Sequence, residues 1–165
     1  MKIREAAISD MPLLSTHHRM MFEEIWLEKG QRLDPVAAVK IETAYAEKLA
    51  SEMPGGVCRA WVMEDGGQPV SSCAITNISL TPNPYDLSSR VVFLHSVFTE
   101  KTHRNRGCAQ TMVRAAEEWC RENGIRRIIL SASDAGRPVY RKLGFCDAPE
   151  MMRLFIEIED TEEAP

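Results

Sequence analysis

The sequence lacks the features that direct a protein into or across a membrane. No run of apolar residues is long enough to span a bilayer, and the N-terminus has no apolar signal-peptide core. The five cysteines form no C-x-x-C pair and have no regular spacing. An odd count in a chain of 165 residues favours reduced thiols over a disulfide framework. We therefore expect a cytoplasmic protein with no membrane partner.

Positive charge and dinucleotide-binding glycines are also scarce. The formal net charge is −4, which disfavours nucleic acid as a partner and leaves room for a cationic substrate. The G-x-G-x-x-G pattern of Rossmann domains is absent. No third ligand is spaced to complete a metal site with His17 and His18, so we predict no metal. The length, the hydrophobic fraction of 44% and the absence of repeats predict one domain over residues 1–165.

Cap and turn residues divide the chain into strands and helices. Ser9 and the Asp34-Pro35 pair each predict a helix start, because short polar residues cap the first turn and proline is tolerated inside it. The turn Asp65-Gly66-Gly67-Gln68 is typical of a hairpin. We predict strands at 2–6, 57–64, 69–78, 91–99, 127–131 and 151–158. The predicted helices begin near residues 10, 35, 108 and 137 and end by residues 29, 53, 123 and 143.

The stretch from residue 91 to residue 123 is predicted to form a buried strand, a basic turn and an amphipathic helix. Apolar residues recur in the helix at the three-and-four spacing of a single face: Ala109, Met112, Val113, Ala116, Trp119 and Cys120. Backbone N–H groups at the start of this helix lack intrahelical partners, and the helix dipole is positive there. Gly107 lets an anion approach the backbone, and Arg104 and Arg106 add charge. The turn is therefore predicted to bind phosphate.

Two motifs identify a family. The run Arg104-Asn-Arg-Gly107-Cys-Ala109 fits the Arg/Gln-x-x-Gly-x-Gly/Ala signature that opens the central helix of GCN5-related N-acetyltransferases (GNATs). The preceding strand ends Val97-Phe98-Thr99, a common ending there. The later segment from Tyr140 to Phe145 resembles the Tyr-x-Lys-Leu-Gly-Phe stretch of the same family. The alternative is a Rossmann-like βαβ unit with an adventitious basic turn, which the missing glycine pattern disfavours.

The resemblance implies both a fold and an activity. The expected fold is α/β (α+β), a mixed sheet of six to seven strands with helices on both faces. In this family the strand at 91–99 parts from the one that follows the central helix, and acetyl-CoA sits in the gap. The implied activity is direct transfer of an acetyl group from acetyl-CoA to a primary amine in a ternary complex. No cysteine matches an acyl-carrying nucleophile.

The resemblance also implies which residues bind the cofactor. Six turn residues are expected to hold the pyrophosphate, mostly through backbone N–H groups: Arg104, Asn105, Arg106, Gly107, Cys108 and Ala109. The backbone of Val97, Phe98 and Thr99 is expected to pair with the pantetheine amides, as an added strand would. The N–H near Val97 would also hold the thioester oxygen. Ser133 falls where relatives often have a pantetheine-binding asparagine, and a helix cap explains it equally well.

Two side chains are candidates for proton transfer. Tyr140 lies where the family commonly places a tyrosine facing the cofactor sulfur, and a phenol can protonate a thiolate. The alternative is a buried tyrosine satisfied by the backbone. His95 is the candidate base because it alone titrates between Val91 and Thr99, and strand alternation puts it on the face of Val97. The alternative is a histidine that shapes the pocket or contacts substrate, with a water chain to a distant glutamate as the base.

The acceptor is the least defined partner. Glu23 and Glu24 lie near the end of the first predicted helix, which lines the acceptor pocket in many relatives, and they would attract a cationic amine. A solvated helix face explains them equally well. A small-molecule amine is therefore expected. The rivals are a protein N-terminus or lysine as acceptor, and a non-catalytic acyl-CoA-binding sensor or interaction module. Because relatives often dimerise, a homodimer is also expected.

Overall fold

In the computed structural model, which describes residues 1–156, five strands form one mixed sheet. They lie in chain order from one edge to the other: β1 (Lys2–Glu5), β2 (Cys58–Asp65), β3 (Gln68–Ser79), β4 (Arg90–Thr99) and β5 (Arg127–Leu130). The pairs from β1 to β4 are antiparallel, whereas β5 runs parallel to β4. The helices are α1 (Met11–Glu28), α2 (Pro35–Glu52), α3 (Cys108–Glu122) and α4 (Arg137–Lys142). Short 3₁₀ turns span Ile8–Asp10 and Lys101–His103.

Local chemistry accounts for most element ends. The Asp34 carboxylate accepts a hydrogen bond from the Ala37 N–H at 3.0 Å, and Pro35 opens α2 as predicted. The β2–β3 hairpin closes through Gly66 and Gly67, whose φ angles of 57° and 80° suit a type I′ turn. These predictions are confirmed. Ser9 does not cap α1, because it lies inside the 3₁₀ turn that precedes the helix.

Helices cover both faces of the sheet. The apolar stripe of α3, with Met112 and Val113, packs on one face against alternate strand residues such as Ile75 and Leu94. On the other face Leu14 of α1 belongs to a second cluster with residues of α2 and of the strands: Tyr45, Leu49, Ala60, Val62 and Ala74. Strand alternation separates the two clusters. None of the helices in the described residues is both long and apolar enough to cross a membrane.

The C-terminal part of the prediction is wrong. The described residues form five strands rather than six to seven, and residues 151–156 form no strand. Their apolar side chains are exposed, with Met152 at 96% and Phe155 at 79%. A strand-forming sequence needs a neighbouring backbone to bond, and within residues 1–156 the only strand paired with β5 is β4. Positions 157 and 158 of the predicted strand lie outside the described residues.

The sheet opens at one end of β4. Pairing with β5 covers only Val91–Leu94, opposite Arg127–Leu130. Residues 95–99 of β4 continue with β3 alone on one side. We call the gap beside these residues the β4–β5 opening. It is the separation of neighbouring strands that the family resemblance implies.

Candidate functional site

The turn between β4 and α3 exposes a row of backbone donors. Asn105 and Gly107 adopt positive φ angles of 60° and 78°, and Gly107 is the N-cap of α3. The N–H groups of residues 105–110 make no hydrogen bond to another residue in the described part of the chain. A Cβ on Gly107 would meet only Gln110 Oε1, at 3.7 Å, so the backbone angle, rather than lack of space, requires glycine. Together with the helix dipole, these donors suit an anion.

The two arginines of this turn have different surroundings. Arg104 donates from Nη2 to both carboxylate oxygens of Glu24, at 2.8 and 2.7 Å, and from Nε to the Thr99 carbonyl at 2.8 Å. Its guanidinium also lies 5.8 Å from the Phe98 ring centroid. Arg106 is exposed and has no ion pair within residues 1–156. The side chain of Arg104 therefore joins α1, β4 and the turn, while Arg106 is the one free to reach a phosphate.

A β-bulge shapes β4 at the opening. Ser72 lies opposite Phe98 and Ala74 opposite His95, so Ser96 and Val97 together face only one residue of β3. Ser96 has a φ of 54°, which places the extra residue. Val97 therefore has no paired residue on β3 in this register, and it lies beyond the point where β5 pairs with β4.

The bulge overturns one prediction. His95 and Val97 were expected on the same face by strand alternation. Val97 instead packs against the cluster beneath α3, whereas His95 bonds Thr76 and Tyr45, and Tyr45 is on α2. The prediction is wrong because the extra residue shifts the alternation by one position.

The last residues of β4 turn their side chains into the protein. Phe98 is 3% exposed, and its ring lies 4.7 Å from that of His17. The Thr99 hydroxyl lies 2.9 Å from that of Ser71. These side chains therefore do not face the β4–β5 opening, and only backbone groups of the two residues can bind a ligand there. Cys108 is likewise buried, with its thiol 3.3 Å from the His103 carbonyl, so its contribution to the turn is its N–H group.

His95 lies in a dense polar cluster. Its Nε2 is 2.9 Å from the Thr76 hydroxyl, and its Nδ1 is 3.0 Å from Ser96 Oγ and 3.2 Å from the Tyr45 hydroxyl. Burial lowers the pKa of His95 to about 3, and the charge of Lys48 contributes. The imidazole is neutral at physiological pH but accepts a proton weakly. The role of His95 as the general base stays a prediction, and a pKa this far below neutrality does not support it.

Tyr140 lies on α4 at the edge of the cluster that also holds Val97. Burial raises the pKa of its phenol to about 12, so it keeps its proton at neutral pH. In the part of the chain that the structure describes, its hydroxyl bonds no other residue. Its ring lies over Gly136, where a Cβ would come within 3.1 Å of Cε2. Ser133 Oγ accepts the Gly136 N–H at 3.1 Å in the turn before α4, but the N-cap of α4 is Gly136, so Ser133 is not the helix cap.

Comparison with known proteins identifies the family. Residues 16–145 match the family model described as Acetyltransferase (GNAT) family. The chain belongs to this family. It is an acetyl-CoA-dependent acetyltransferase, as the motifs implied.

Individual GNAT relatives are similar over nearly the whole chain. A Bacillus subtilis (strain 168) protein named for N-acetylation of an alanine in ribosomal protein bS18 is 25% identical over 146 residues, covering 85% of this chain and 80% of that protein. A GCN5-related N-acetyltransferase of Ralstonia eutropha JMP134 has a TM-score of 0.84 at 25% identity, covering 93% of this chain and 97% of its own. An acetyltransferase of Clostridium acetobutylicum solved with acetyl-CoA has a TM-score of 0.81 at 25% identity, covering 93% and 95%.

The two carboxylates expected on the acceptor side of this GNAT are both engaged. Glu23 accepts from Arg19 Nη1 at 2.6 Å, and Glu24 is held by Arg104. Arg104 compensates the charge of Glu24, whereas Glu23 shares Arg19 with Glu42, to which Arg19 Nε donates at 2.6 Å. Their assignment as acceptor-binding residues stays a prediction, but their attraction for a cationic amine is weaker than the sequence suggested. The described residues contain no group of three side chains able to hold a metal ion.

A row of rings on α1 lies on the same side of the GNAT sheet as His95. His18, Phe22 and Trp26 follow one another at four-residue spacing, with ring centroids 5.0 and 6.0 Å apart. His18 also stacks on Tyr45 at 3.8 Å. Sequence reasoning missed this row, although the spacing of one helical face could have revealed it. The rings give this side of the sheet an aromatic surface next to the polar cluster around His95.

Proposed function

We propose that this GNAT transfers the acetyl group of acetyl-CoA to the primary amine of a small molecule, directly and within a ternary complex. The observation that carries the proposal is the β4–β5 opening, where the strand leaves its parallel neighbour beside a bulge. At the end of the same strand, the turn at residues 105–110 offers unbonded N–H groups.

The chain's own donors fit acetyl-CoA. The N–H groups from Asn105 to Ala109, with the nearby positive charge of Arg106, suit the pyrophosphate. No residue of β5 pairs with β4 from Val97 to Thr99, so this edge suits the pantetheine amides, which can bond it as an added strand would. The Thr99 carbonyl is already held by Arg104 Nε. The Clostridium acetobutylicum relative solved with acetyl-CoA supports this fit.

The residues beside the opening can perform three tasks. Acetyl-CoA supplies the thioester whose acetyl carbon becomes bonded to the amine nitrogen. The Val97 N–H donates to the thioester oxygen and so stabilises the negative charge that develops there. The Tyr140 phenol, protonated at neutral pH, donates to the sulfur as the carbon–sulfur bond breaks. The amine gives up its proton to His95 or to a water chain.

A protein N-terminus is the second candidate acceptor. The Bacillus subtilis relative is named for acetylation of an alanine in a ribosomal protein, and the ion pairs of Glu23 and Glu24 weaken their attraction for a cationic small amine. The small amine remains the first proposal, and the rings of His18, Phe22 and Trp26 lie on α1 on the expected acceptor side.

A thiol-release assay tests the proposal. Purified protein and acetyl-CoA are incubated with amines, amino acids, polyamines and N-terminal peptides, and release of free CoA is followed. We expect turnover with at least one free primary amine and none with Gly107→Glu, the matched loss-of-binding control. Activity only on an N-terminal peptide would replace the small amine by the second candidate. Tight acetyl-CoA binding without turnover on any acceptor would favour a sensor.

Two further expectations concern the setting of the enzyme. We propose a cytoplasmic location, because all five cysteines are free and four of them are buried. We also propose a homodimer, which sedimentation at several protein concentrations tests. A single species with the mass of one 18.6 kDa chain at every concentration would contradict the dimer.

A further inference from the structure

Ser96 holds an unusual backbone conformation at the centre of the site. It is 6% exposed and has a φ of 54°, a left-handed value that a non-glycine residue adopts only when its surroundings hold it there. The only other such residue in the described chain is Asn105, in the exposed turn. This conformation therefore requires contacts of Ser96 that stabilise the bulge.

Two imidazoles bond the Ser96 hydroxyl. His18 Nδ1, from α1, lies 2.7 Å from Ser96 Oγ, and His95 Nδ1 lies 3.0 Å from it. A neutral imidazole either donates or accepts at Nδ1, so the hydroxyl can donate to one ring and accept from the other. Both rings are themselves held: His18 stacks on Tyr45 at 3.8 Å, and Thr76 lies 2.9 Å from His95 Nε2.

The bulge in turn decides where the next peptide points. With the extra residue, Val97 has no paired residue on β3, and it lies past the end of the β5 ladder, beside the β4–β5 opening. Without the extra residue, strand alternation would restore pairing of this peptide with β3. The orientation of the Val97 N–H therefore depends on the conformation of Ser96.

We propose that His18 and His95 are positioning residues, which lock the Ser96 hydroxyl and thereby aim the Val97 N–H at the thioester oxygen. The inference rests on the proposed function for the role of Val97, but the lock itself is a property of the protein alone. It gives His95 a task that needs no proton transfer. It also gives a task to His18, which no motif marks.

Four variants separate the lock from general packing. Ser96→Ala removes the hydroxyl, and His18→Phe removes the bond from α1 while keeping a ring. His18→Asn places an amide near the position of Nδ1 and should rescue the bond. Ser72→Ala is the matched control, because Ser72 Oγ bonds the buried His17 at 2.9 Å on the neighbouring strand.

Two measurements report on the site without turnover. Chemical shifts of Ser96 and Val97 in the ligand-free protein report the backbone conformation. Isotope-edited infrared spectra of bound acetyl-CoA, labelled at the thioester carbonyl, report how strongly that carbonyl is polarised. Calorimetry gives the acetyl-CoA affinity, and assays on the acceptor found above give kcat.

We expect Ser96→Ala and His18→Phe to lose the left-handed shifts and return the carbonyl band toward its position in free acetyl-CoA. Their kcat should fall about 10- to 100-fold, because a displaced Val97 N–H bonds the thioester oxygen less well in the transition state. Their acetyl-CoA affinity should stay within about threefold of that of the unmodified protein. His18→Asn and Ser72→Ala should keep the shifts and the band of the unmodified protein.

Each contrary result has one meaning. Left-handed backbone shifts retained at position 96 in folded Ser96→Ala and His18→Phe would overturn the lock, and so would equal losses in Ser72→Ala. If either of the first two variants fails to fold, the other decides. If the left-handed shifts disappear while the carbonyl band is unchanged, the two histidines do hold the Ser96 conformation. The Val97 N–H would then have no role in the proposed mechanism. Failure of the unmodified protein to bind acetyl-CoA would contradict the proposed function alone.

Discussion

Glu24, in the last turns of α1, binds Arg104 through both carboxylate oxygens, at 2.8 and 2.7 Å from Nη2. The pair connects the helix on the expected acceptor side to the turn on the cofactor side. Arg104 was predicted as a phosphate ligand, and this contact uses its side chain for another purpose. Its backbone N–H donates to the Lys101 carbonyl at 3.4 Å, so the free donors of the turn begin at Asn105.

The two arginines of the turn should therefore respond differently to mutation. Arg106→Met should weaken acetyl-CoA binding about three- to tenfold, and more at low ionic strength, because an exposed charge facing phosphate is screened by salt. Arg104→Met should change affinity less than twofold but lower the free energy of unfolding by up to about 1 kcal/mol, as for a partly exposed ion pair. Calorimetry at two salt concentrations and denaturant melts measure both. A larger loss of affinity in Arg104→Met than in Arg106→Met would instead identify the Arg104 side chain as the phosphate ligand.

Gly107 should be essential for the cofactor turn. Gly107→Glu adds strain at a φ of 78° together with bulk and negative charge, and we expect acetyl-CoA affinity to fall by well over about tenfold. Gly124→Ala is the matched control: Gly124 follows the other end of α3, with a φ of 67° and nothing near its Cβ position. The control should lose about 1 kcal/mol of stability and no affinity. Equal affinities for Gly107→Glu and the unmodified protein would disprove the phosphate site.

Tyr140→Phe should lower turnover by roughly 10²- to 10⁴-fold, the usual contribution of a general acid, while acetyl-CoA affinity stays nearly constant. Gly136→Ala is a milder probe of the same group, because its Cβ would approach Tyr140 Cε2 to 3.1 Å and push the ring aside. We expect it to reduce kcat less than Tyr140→Phe does. Pre-steady-state kinetics must show that chemistry limits the rate. An unchanged chemical step in Tyr140→Phe would leave Tyr140 a packing residue.

Stability should fall as the solution is acidified from pH 7 to pH 5. Burial lowers the pKa of His17 and His18 to about 4 and that of His95 to about 3, below the value of about 6.5 for an unfolded histidine. Below pH 6.5 the unfolded chain therefore binds protons that the folded chain does not bind. Each histidine then lowers the free energy of unfolding by up to about 1.4 kcal/mol per pH unit. Denaturant melts measure the slope. His18→Asn should reduce it by about a third, and a slope of zero would contradict the burial of these rings.

The same low pKa gives a sharp expectation for catalysis. His95 stays unprotonated well below neutrality, so an acidic limb of kcat/KM between about pH 5 and 8 belongs to another group, such as the amine itself. We expect His95→Gln to keep that limb while kcat falls through loss of its hydrogen bond to Ser96. Disappearance of the limb in His95→Gln would identify His95 as the base after all.

Sequence reasoning succeeded where local chemistry decides the outcome. Asp34-Pro35, the Gly66-Gly67 turn and the start of α3 each act through neighbouring residues, so their patterns predict the element directly. The turn at Arg104–Ala109 was predicted for the same reason, because its donors belong to a helix start. The opening between β4 and the strand that follows α3 was predicted from the family resemblance.

Features that depend on long-range contacts could not be predicted in this way. The bulge at Ser96 is stabilised by His18, which lies 78 residues away in the chain, and no local pattern marks a serine for a positive φ. The expected alternation of His95 and Val97 failed at that bulge. Likewise, the pairing of Arg104 with Glu24 joins positions 80 residues apart. The strand expected at 151–158 has suitable composition, but composition does not provide a neighbouring strand.

The short ladder between β4 and β5 has a consequence for how the protein unfolds. In the described chain β5 bonds the rest of the sheet only through Val91–Leu94, so its amides belong to a small cooperative unit that can open before the sheet melts. A molecule lying in the opening and bonding both sides would couple this unit to global unfolding and slow hydrogen exchange there. Saturating acetyl-CoA should then slow the hydrogen exchange of the Arg127–Leu130 amides more than that of β2 or β3, because the bound ligand stabilises most the segments that it contacts.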